Sequence, residues 1–149
     1  MLIWRQIKSI RNSLNDLPVS AKVVLVSSDN KILVLRKDKG IPDLPGGKVE
    51  QGEDLFEALE RELEEEVGIE AGGFEFVASW VKHHPVLGPR LVLVFETQLA
   101  KKAGDVKFTL SEEHVWGQFL DTEGVKEITD LQPGYLNALQ ICFSRYAQV

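Results

Sequence analysis

Residues 46–70 read GGKVEQGEDLFEALERELEEEVGIE and combine two glycines, a run of carboxylates and regularly spaced apolar residues. Ten of the 23 Asp and Glu residues of the chain lie between Glu50 and Glu70. Like charges three or four positions apart on a helix repel by about 0.2–0.5 kcal/mol per pair, so several such pairs need compensation. A bound divalent cation is the natural candidate.

The acidic segment is predicted to be a helix from about Glu53 to Val67. Acidic residues occupy its first turn, where the helix dipole favours them, and Gly68 follows its end. On a helical wheel at about 100° per residue, the apolar side chains fall on one buried stripe. The stripe consists of Leu55, Phe56, Leu59, Leu63 and Val67.

The glutamates of this helix divide into two groups on the wheel. Glu57, Glu60 and Glu64 lie opposite the apolar stripe and are expected to face water. The other three are Glu62, Glu65 and Glu66, and the last of them lies in angle between two leucines of the stripe. Burying a carboxylate is costly unless it is paired or coordinates a metal.

The second group of glutamates is spaced for a common ligand. Glu62 and Glu66 are one turn apart and Glu65 is three residues from Glu62, so all three can converge on one point. Carboxylate oxygens are the hard ligands that Mg²⁺ prefers. Arg61 is placed to pair with a neighbouring glutamate, but one guanidinium does not neutralise the cluster.

The loop before the helix supplies a second indication. Gly46 and Gly47 let the backbone turn sharply and approach a ligand closely, and a glycine loop leading to a helix N-terminus favours anions. A Gly-Gly pair alone is typical of an ordinary turn. Next to inward-facing carboxylates, it predicts one half of a combined phosphate and metal site.

The rest of the chain is predicted to be mostly strands, with a helix near the end. Runs rich in β-branched residues on either side of Asp29-Asn30 predict a hairpin, and two prolines and three glycines predict a loop over 41–52. The predicted strands are 22–28, 31–37, 74–82, 90–99 and 115–120. The further predicted helices are 121–128 and 133–146, the second opening on Pro133.

Composition narrows the range of functions. A chain of 149 residues fits one domain, 1–149. No basic tract indicates binding to nucleic acid or to an anionic membrane surface. Cys142 is the only cysteine, which excludes an internal disulfide, and it is expected to be a buried thiol. The N-terminal MLIWRQIKSIRNS lacks the apolar run of a signal peptide, so we expect a cytoplasmic protein.

At this point the residues show a resemblance to a known family. The segment from Gly47 to Ile69 matches every specified position of the Nudix box, G-x5-E-x7-R-E-U-x-E-E-x-G-U with U aliphatic. The chain thus resembles the Nudix hydrolases and is similar to their MutT-like members. The resemblance implies an α/β fold, an α/β/α sandwich with a mixed sheet between helices, and Mg²⁺- or Mn²⁺-dependent hydrolysis of a nucleoside diphosphate linked to a group X.

The resemblance also implies roles for individual residues. Glu62, Glu65 and Glu66 would ligate the metal, with the Gly46 carbonyl as a further ligand. Glu53 and Arg61 would pair and orient this cluster. The general base stays open between Glu62, Glu65 and a residue outside the box. Family members often place a further acidic ligand or base on a later loop, and Glu113 is the expected residue here, while Gly47 is expected to contact substrate.

Substrate information outside the box is thin. Pro85 follows Ile69 at a spacing that resembles a proline of ADP-ribose-hydrolysing members, although a proline in a turn is common. The short chain is more similar to the nucleoside triphosphate pyrophosphohydrolases. Three tryptophans are candidates for base stacking, although core packing is more common: Trp4, Trp80 and Trp116.

The sequence is therefore compatible with three functions. The preferred one is hydrolysis of a (deoxy)nucleoside triphosphate to a monophosphate and pyrophosphate, and the second is an ADP-ribose pyrophosphatase. The third is a non-catalytic Nudix-fold module that senses a nucleotide, which the intact box disfavours. A small-molecule nucleotide is the expected partner in each case, and a homodimer is left open.

Overall fold

The computed structural model describes residues 17–146. The strands in this range are β1 (Val19–Val26), β2 (Ile32–Lys37), β3 (Pro42–Asp43), β4 (Gly46–Lys48), β5 (Glu75–His84), β6 (Gly88–Gln98) and β7 (His114–Leu120). The helices are α1 (Leu55–Val67), α2 (Thr122–Lys126) and α3 (Pro133–Tyr146). The N-terminal segment assessed for a signal peptide, including Trp4, lies outside the described residues.

The helices and longer strands fall where the sequence predicts them, with small shifts at their ends. Helix α1 begins two residues later than predicted because Asp54 caps it: the Asp54 side chain accepts from the Glu57 N–H, and the Glu57 side chain accepts from the Asp54 N–H. The prediction of a loop over 41–52 was incomplete, since β3 and β4 lie within it. Strands of two and three residues are too short to show a periodic pattern.

The strands form one mixed sheet. Its order is β3-β2-β1-β6-β5, with β4 paired to β1 and β7 paired to β2. Strands β1 and β6 run parallel over eight residue pairs, from Val19 opposite Leu91 to Val26 opposite Gln98. The other pairings are antiparallel. Because side chains alternate along a strand, successive residues of β1 point to opposite faces of the sheet.

Helices cover both faces of this sheet. On one face, Leu59 and Leu63 of α1 pack against Val23 and Leu25 of β1. On the other, the side chains of α3 pack against Val24 and its neighbours, and Cys142 is buried there as expected. The predicted α/β/α sandwich with a mixed sheet is thus confirmed. Between residues 17 and 146, no helix has the length and apolar character needed to cross a membrane.

Phe56 departs from the predicted buried stripe of α1. Its side chain remains 49% exposed, although its ring lies 5.7 Å from the rings of both Phe74 and Phe95, measured between centroids. The helical wheel shows which way the Phe56 side chain points around the helix axis. It does not show whether the sheet extends far enough to cover that side chain. Phe56 is in the first turn of α1 and covers the border of the core.

The sheet opens between β1 and β2, and a buried ion pair bridges the opening. Strand β1 pairs with β2 at Val26, but its first half pairs with β4 instead. Lys22, on this first half, donates through its Nζ atom to the Asp43 carboxylate at 3.0 Å. The same Nζ donates to the carbonyls of Leu44 at 3.2 Å and Gly46 at 3.0 Å. One side chain therefore connects β1, β3 and β4.

Asp43 has further partners that keep it ionised. Its carboxylate lies 3.2 Å from Nε2 of His114, 3.4 Å from the Tyr135 hydroxyl and 3.7 Å from Nζ of Lys37. Burial alone would raise the pKa of Asp43, but Lys22 and the His114 hydrogen bond lower it to about 2. Burial would likewise lower the pKa of Lys22, but the Asp43 charge raises it above its ordinary value. The two residues are therefore a charged pair over the physiological pH range.

Replacing Asp43 by Asn is expected to lower the free energy of unfolding at pH 7 by about 3 kcal/mol, because Lys22 is left buried without a counter-charge. The folded-state pKa of Asp43 is about 2, below its ordinary 3.8. The stabilisation is therefore complete above about pH 4 and is lost as the pH falls through about 2. Urea unfolding at several pH values should show a deficit that is constant above about pH 4 and shrinks below it.

Asp130→Asn is the matched control for this prediction. Asp130 pairs with Arg36 at 3.3 Å and its side chain is 56% exposed, so its loss should cost less than about 0.5 kcal/mol. Equal deficits for the Asp43 and Asp130 variants would contradict the stabilising role of the buried pair.

Candidate functional site

Helix α1 presents its carboxylates in three different environments. Glu57, Glu60 and Glu64 are exposed, as the wheel predicts. Glu66 is only 5% exposed. The Glu62 side chain is 14% exposed and that of Glu65 is 60% exposed. The wheel therefore separates the solvated face correctly, but it does not show that Glu65 remains largely in water.

Glu66 is a buried carboxylate with few compensating contacts. The N–H of Gly46 donates to its Oε2 atom at 3.2 Å. Burial raises the pKa of Glu66 to about 8; the Lys22 charge opposes this shift, and the adjacent Glu62 adds to it. Glu66 and Glu62 thus form a close pair of carboxyl groups that resists holding two negative charges. An additional cation at this position would relieve that resistance.

Arg61 connects the other carboxylates of the segment. It donates to both oxygens of Glu53, at 2.7 and 2.9 Å, and to Glu62 at 3.0 Å and Glu65 at 3.2 Å. Its hydrogen bonds lower the pKa of Glu53 to about 2, with help from the Glu50 N–H. Since Glu53 precedes α1 and the other partners lie on it, Arg61 fixes the loop against the helix. This is the pairing of Glu53 with Arg61 that the resemblance implies.

Gly46 and Gly47 allow the loop to lie directly against the carboxylates and β1. Gly46 has φ of 128°, and a Cβ atom there would collide with the Ala21 carbonyl oxygen. A Cβ atom on Gly47 would lie 2.6 Å from Oε1 of Glu62. Gly46 therefore requires the absence of a side chain because of backbone contact, whereas a side chain on Gly47 would displace the Glu62 carboxylate from its present position.

These residues surround one cavity of about 430 Å³. Ligand sites typically measure roughly 300–1,000 Å³, so a single nucleotide is of suitable size. The carboxylates that line it are Asp43, Glu50, Glu62, Glu65, Glu66 and Glu113. The basic residues that line it are Lys22, Lys37, Lys48, Arg61, Lys82 and Arg90. Gly46, Gly47 and Tyr135 also line the cavity.

Most of the sequence-predicted site residues thus meet at this cavity. Glu113 comes from the loop before β7, forty-six residues beyond the end of α1, and lines the same space as the helix glutamates. Glu53 does not line the cavity, but it accepts a hydrogen bond from Arg61, which does. Pro85 is exposed in the turn between β5 and β6 and does not line the cavity. Its role in substrate binding stays a prediction.

The donor set suits a hard divalent cation. Carboxylates and the backbone of Gly46 line one cavity and offer hard oxygen ligands, and burial, with Glu62 close by, raises the pKa of Glu66. In the conformation described for residues 17–146, no three His, Cys, Asp or Glu side chains are gathered closely enough to hold a metal ion. Arg61 holds Glu62 and Glu65 instead. Metal binding would therefore require these two side chains to turn away from Arg61.

Several residues of the cavity were not identified from the sequence. Lys22 and Asp43 are the clearest examples, and one signal was available: alternation along β1 puts Lys22 on the same face as Val24 and Val26, where a lysine is unusual. His114 is buried beside Asp43, and its Nδ1 atom has no hydrogen-bond partner among the described residues.

The tryptophans contribute to packing. The ring of Trp80 lies 5.5 Å from that of Tyr135 in an edge-on arrangement and fills the space over Gly134. The Arg36 guanidinium lies 5.8 Å from the centroid of Trp116. Neither ring lines the cavity. Core packing therefore accounts for Trp80, and base stacking by either residue stays a prediction.

Comparison with known proteins identifies relatives of this architecture. The family model of the NUDIX domain matches residues 16–139 of this chain. A CTP pyrophosphohydrolase of Escherichia coli is 39% identical over 66 residues, covering 41% of this chain and 49% of the relative. An ADP-ribose pyrophosphatase of Methanocaldococcus jannaschii is 41% identical over 69 residues, covering 44% of this chain and 40% of the relative.

Solved structures share the fold over most of the chain. A MutT protein from Methanosarcina mazei Go1 superposes with a TM-score of 0.74 at 22% identity, over 89% of this chain and 96% of that protein. The curated relatives are matched over shorter stretches. The chain spans 36%, 37% and 49% of the length of three of them, so these alignments cover only part of each protein.

Replacing Glu66 by Gln is expected to stabilise the metal-free protein at alkaline pH. The folded-state pKa of Glu66 is raised from its ordinary 4.5 to about 8, so wild-type stability falls as the pH rises through this interval. In chelator at about pH 8.5, Glu66→Gln should be more stable by at least about 1 kcal/mol, and this advantage should vanish near about pH 4.5. Urea unfolding across this range is the measurement.

Glu60→Gln, on the exposed face of α1, is the control and should show no such pH trend. The cation is tested in parallel by thermal melting: millimolar Mg²⁺ or Mn²⁺ should raise the melting temperature of the wild type more than that of Glu66→Gln. A wild-type melting curve that is the same in chelator and in Mg²⁺ would contradict a metal site at Glu66.

Proposed function

This chain belongs to the Nudix family, and from that premise we propose that it hydrolyses phosphoanhydride bonds of nucleotides with Mg²⁺ or Mn²⁺ as its activator. One observation carries the proposal. The carboxylates of α1, the glycine loop and Glu113 open onto a single cavity that is large enough for a nucleotide. Such a cavity can hold a polyphosphate chain and a cation together.

The metal-holding residues in this proposal are Glu62, Glu65, Glu66, Glu113 and the Gly46 carbonyl. A divalent ion bound there would neutralise charge on the phosphoryl oxygens and make a water molecule more acidic. The Gly46 N–H holds the Glu66 carboxylate in place, and Lys22 holds the Gly46 carbonyl. The protein thereby positions two ligands through one short segment of backbone.

Arg61 and Glu53 orient the cluster in this proposal. The two-point pairing between them leaves one further nitrogen of Arg61 for Glu62 and Glu65. When these two carboxylates turn towards a cation, the Glu53 pair still holds Arg61 beside them. The base that accepts the proton of the attacking water is Glu62, Glu65 or a residue outside the box such as Glu113.

We propose a (deoxy)nucleoside triphosphate as the substrate, cleaved by water to a monophosphate and pyrophosphate. Support comes from the compact cavity and from the absence of Pro85 from its lining. One relative is named for CTP and another for ADP-ribose, so ADP-ribose is the alternative substrate. A nucleotide-sensing module is the other alternative, and the intact box supports catalysis over sensing.

Three further expectations stay predictions. They are that the whole chain 1–149 forms one domain of this kind, that the protein is located in the cytoplasm, and that a nucleotide, with a homodimer left open, is its partner.

Glu66→Gln is expected to lower kcat/KM for nucleotide hydrolysis in Mg²⁺ at least about thirtyfold, equivalent to about 2 kcal/mol of transition-state stabilisation. The reason is that a neutral amide is a weaker ligand for a divalent cation. Glu60→Gln carries the same change on the exposed face and should retain wild-type activity. Equal losses in the two variants, measured by phosphate or pyrophosphate release, would contradict the assignment of Glu66.

A substrate panel separates the alternatives. Nucleoside triphosphates, an oxidised guanine triphosphate and ADP-ribose should be compared by kcat/KM with and without Mg²⁺, and we expect the highest value for a triphosphate and none without the metal. A tenfold preference for ADP-ribose would favour an ADP-ribose pyrophosphatase. No hydrolysis of any nucleotide would favour a sensor.

A further inference from the structure

Two basic residues lie directly opposite each other at one wall of the cavity. Lys82 on β5 is the cross-strand partner of Arg90 on β6. Both line the cavity, together with Lys37 at the end of β2. Val92, two residues after Arg90, lines it as well, which places this face of the β5–β6 pair towards the cavity.

These cations lack local counter-charges. Among residues 17–146, neither Lys82 nor Arg90 forms a salt bridge, whereas Lys22 and Arg61 in the same cavity do. The Asp43 charge acts to raise the pKa of Lys82, but Asp43 already forms salt bridges with Lys22 and Lys37. Like charges directly opposite each other in a sheet are destabilising. Among the described residues, the repulsion between Lys82 and Arg90 is therefore not relieved by a salt bridge to either of them.

The effect is visible on Lys82. Burial, and then the charges of Lys37 and Arg90, lower its pKa from the ordinary value. The carboxylates of α1 line the same cavity from a different element, and they are the groups suited to a cation. The cavity thus has an acidic side on α1 and a basic side on the strands, and a phosphate chain with a metal ion has the matching distribution of charge.

We propose that Lys37, Lys82 and Arg90 form an anion subsite that binds the terminal phosphate of a triphosphate chain, which is the second phosphate beyond the scissile phosphoanhydride. This inference rests on the proposed function and narrows its substrate class. A nucleoside triphosphate carries an ionised terminal phosphate for this subsite. A nucleoside diphosphate linked to a neutral sugar presents hydroxyl groups there instead and leaves Lys82 and Arg90 without a salt-bridge partner.

Selectivity follows from this arrangement. Arg90 supplies a planar donor group suited to two phosphate oxygens, and the two lysines supply point charges. Because these residues lie outside the Nudix box, they distinguish substrates without changing the metal ligands. The subsite therefore determines which group X is accepted, while the box residues act on the bond that is cleaved.

The kinetic test uses the double variant Lys82→Gln/Arg90→Gln. Its kcat/KM for a nucleoside triphosphate in Mg²⁺ should fall at least tenfold more than its kcat/KM for ADP-ribose. The control, Lys101→Gln/Lys102→Gln, removes the same charge from exposed residues beyond the other end of β6 and should change either value less than twofold. A loss below threefold for the triphosphate, or equal losses for the two substrates, would overturn the proposal.

A binding test keeps the subsite separate from catalysis. Inorganic tripolyphosphate is titrated calorimetrically in chelator into the Glu62→Gln/Glu66→Gln protein, where two carboxylates of the acidic side are neutral. Adding Lys82→Gln/Arg90→Gln should weaken binding at least tenfold, and adding Lys101→Gln/Lys102→Gln should not. If no nucleotide is hydrolysed but this difference is found, the proposed function fails and the anion subsite stands. Absence of the difference would overturn the subsite.

Discussion

The buried pair of Lys22 and Asp43 is the interaction on which the cavity depends. The sheet opens where β1 exchanges its neighbour β2 for β4, and Lys22 bridges this opening by bonding Asp43 and the carbonyls of Leu44 and Gly46. Two buried charges in a protein interior persist only when they are paired and well hydrogen bonded. Here the pair fixes the short segment from Asp43 to Gly46. Gly46 in turn contacts Glu66 in the last turn of α1.

The position of Glu66 follows from this segment. Its carboxylate is held by the Gly46 N–H, while Lys22 holds the carbonyl of the same glycine. Because Gly47 has no side chain, the Glu62 carboxylate lies directly against the loop. The carboxyl groups of Glu62 and Glu66 are therefore close together in a poorly solvated position. That arrangement costs stability in the absence of a cation, and strain of this kind is common where a protein performs chemistry.

In the proposed site, cation binding and anion binding belong to different elements that line the cavity. Helix α1 and its preceding loop carry the acidic residues, and their arrangement is the feature shared with the family through the box. The hairpin of β5 and β6 carries Lys82 and Arg90, which lie outside the box. A fold that hosts many substrates needs this division, because residues outside the reactive centre can change without disturbing it. The differing substrates in the names of the two relatives are consistent with it.

The sequence by itself determined the elements whose information is local. The apolar stripe, the acidic first turn, Gly68 after the last turn and the spacing of the box predict α1 and its solvated face, and the box predicts the family. The tertiary structure alone decided the pairing of Lys22 with Asp43, the strands β3 and β4, the exposure of Phe56, and the meeting of Lys82 and Arg90 with the carboxylates of α1. The physical reason is that helical periodicity and capping depend on residues within a few positions, whereas strand register and buried charge pairing depend on segments far apart in the chain.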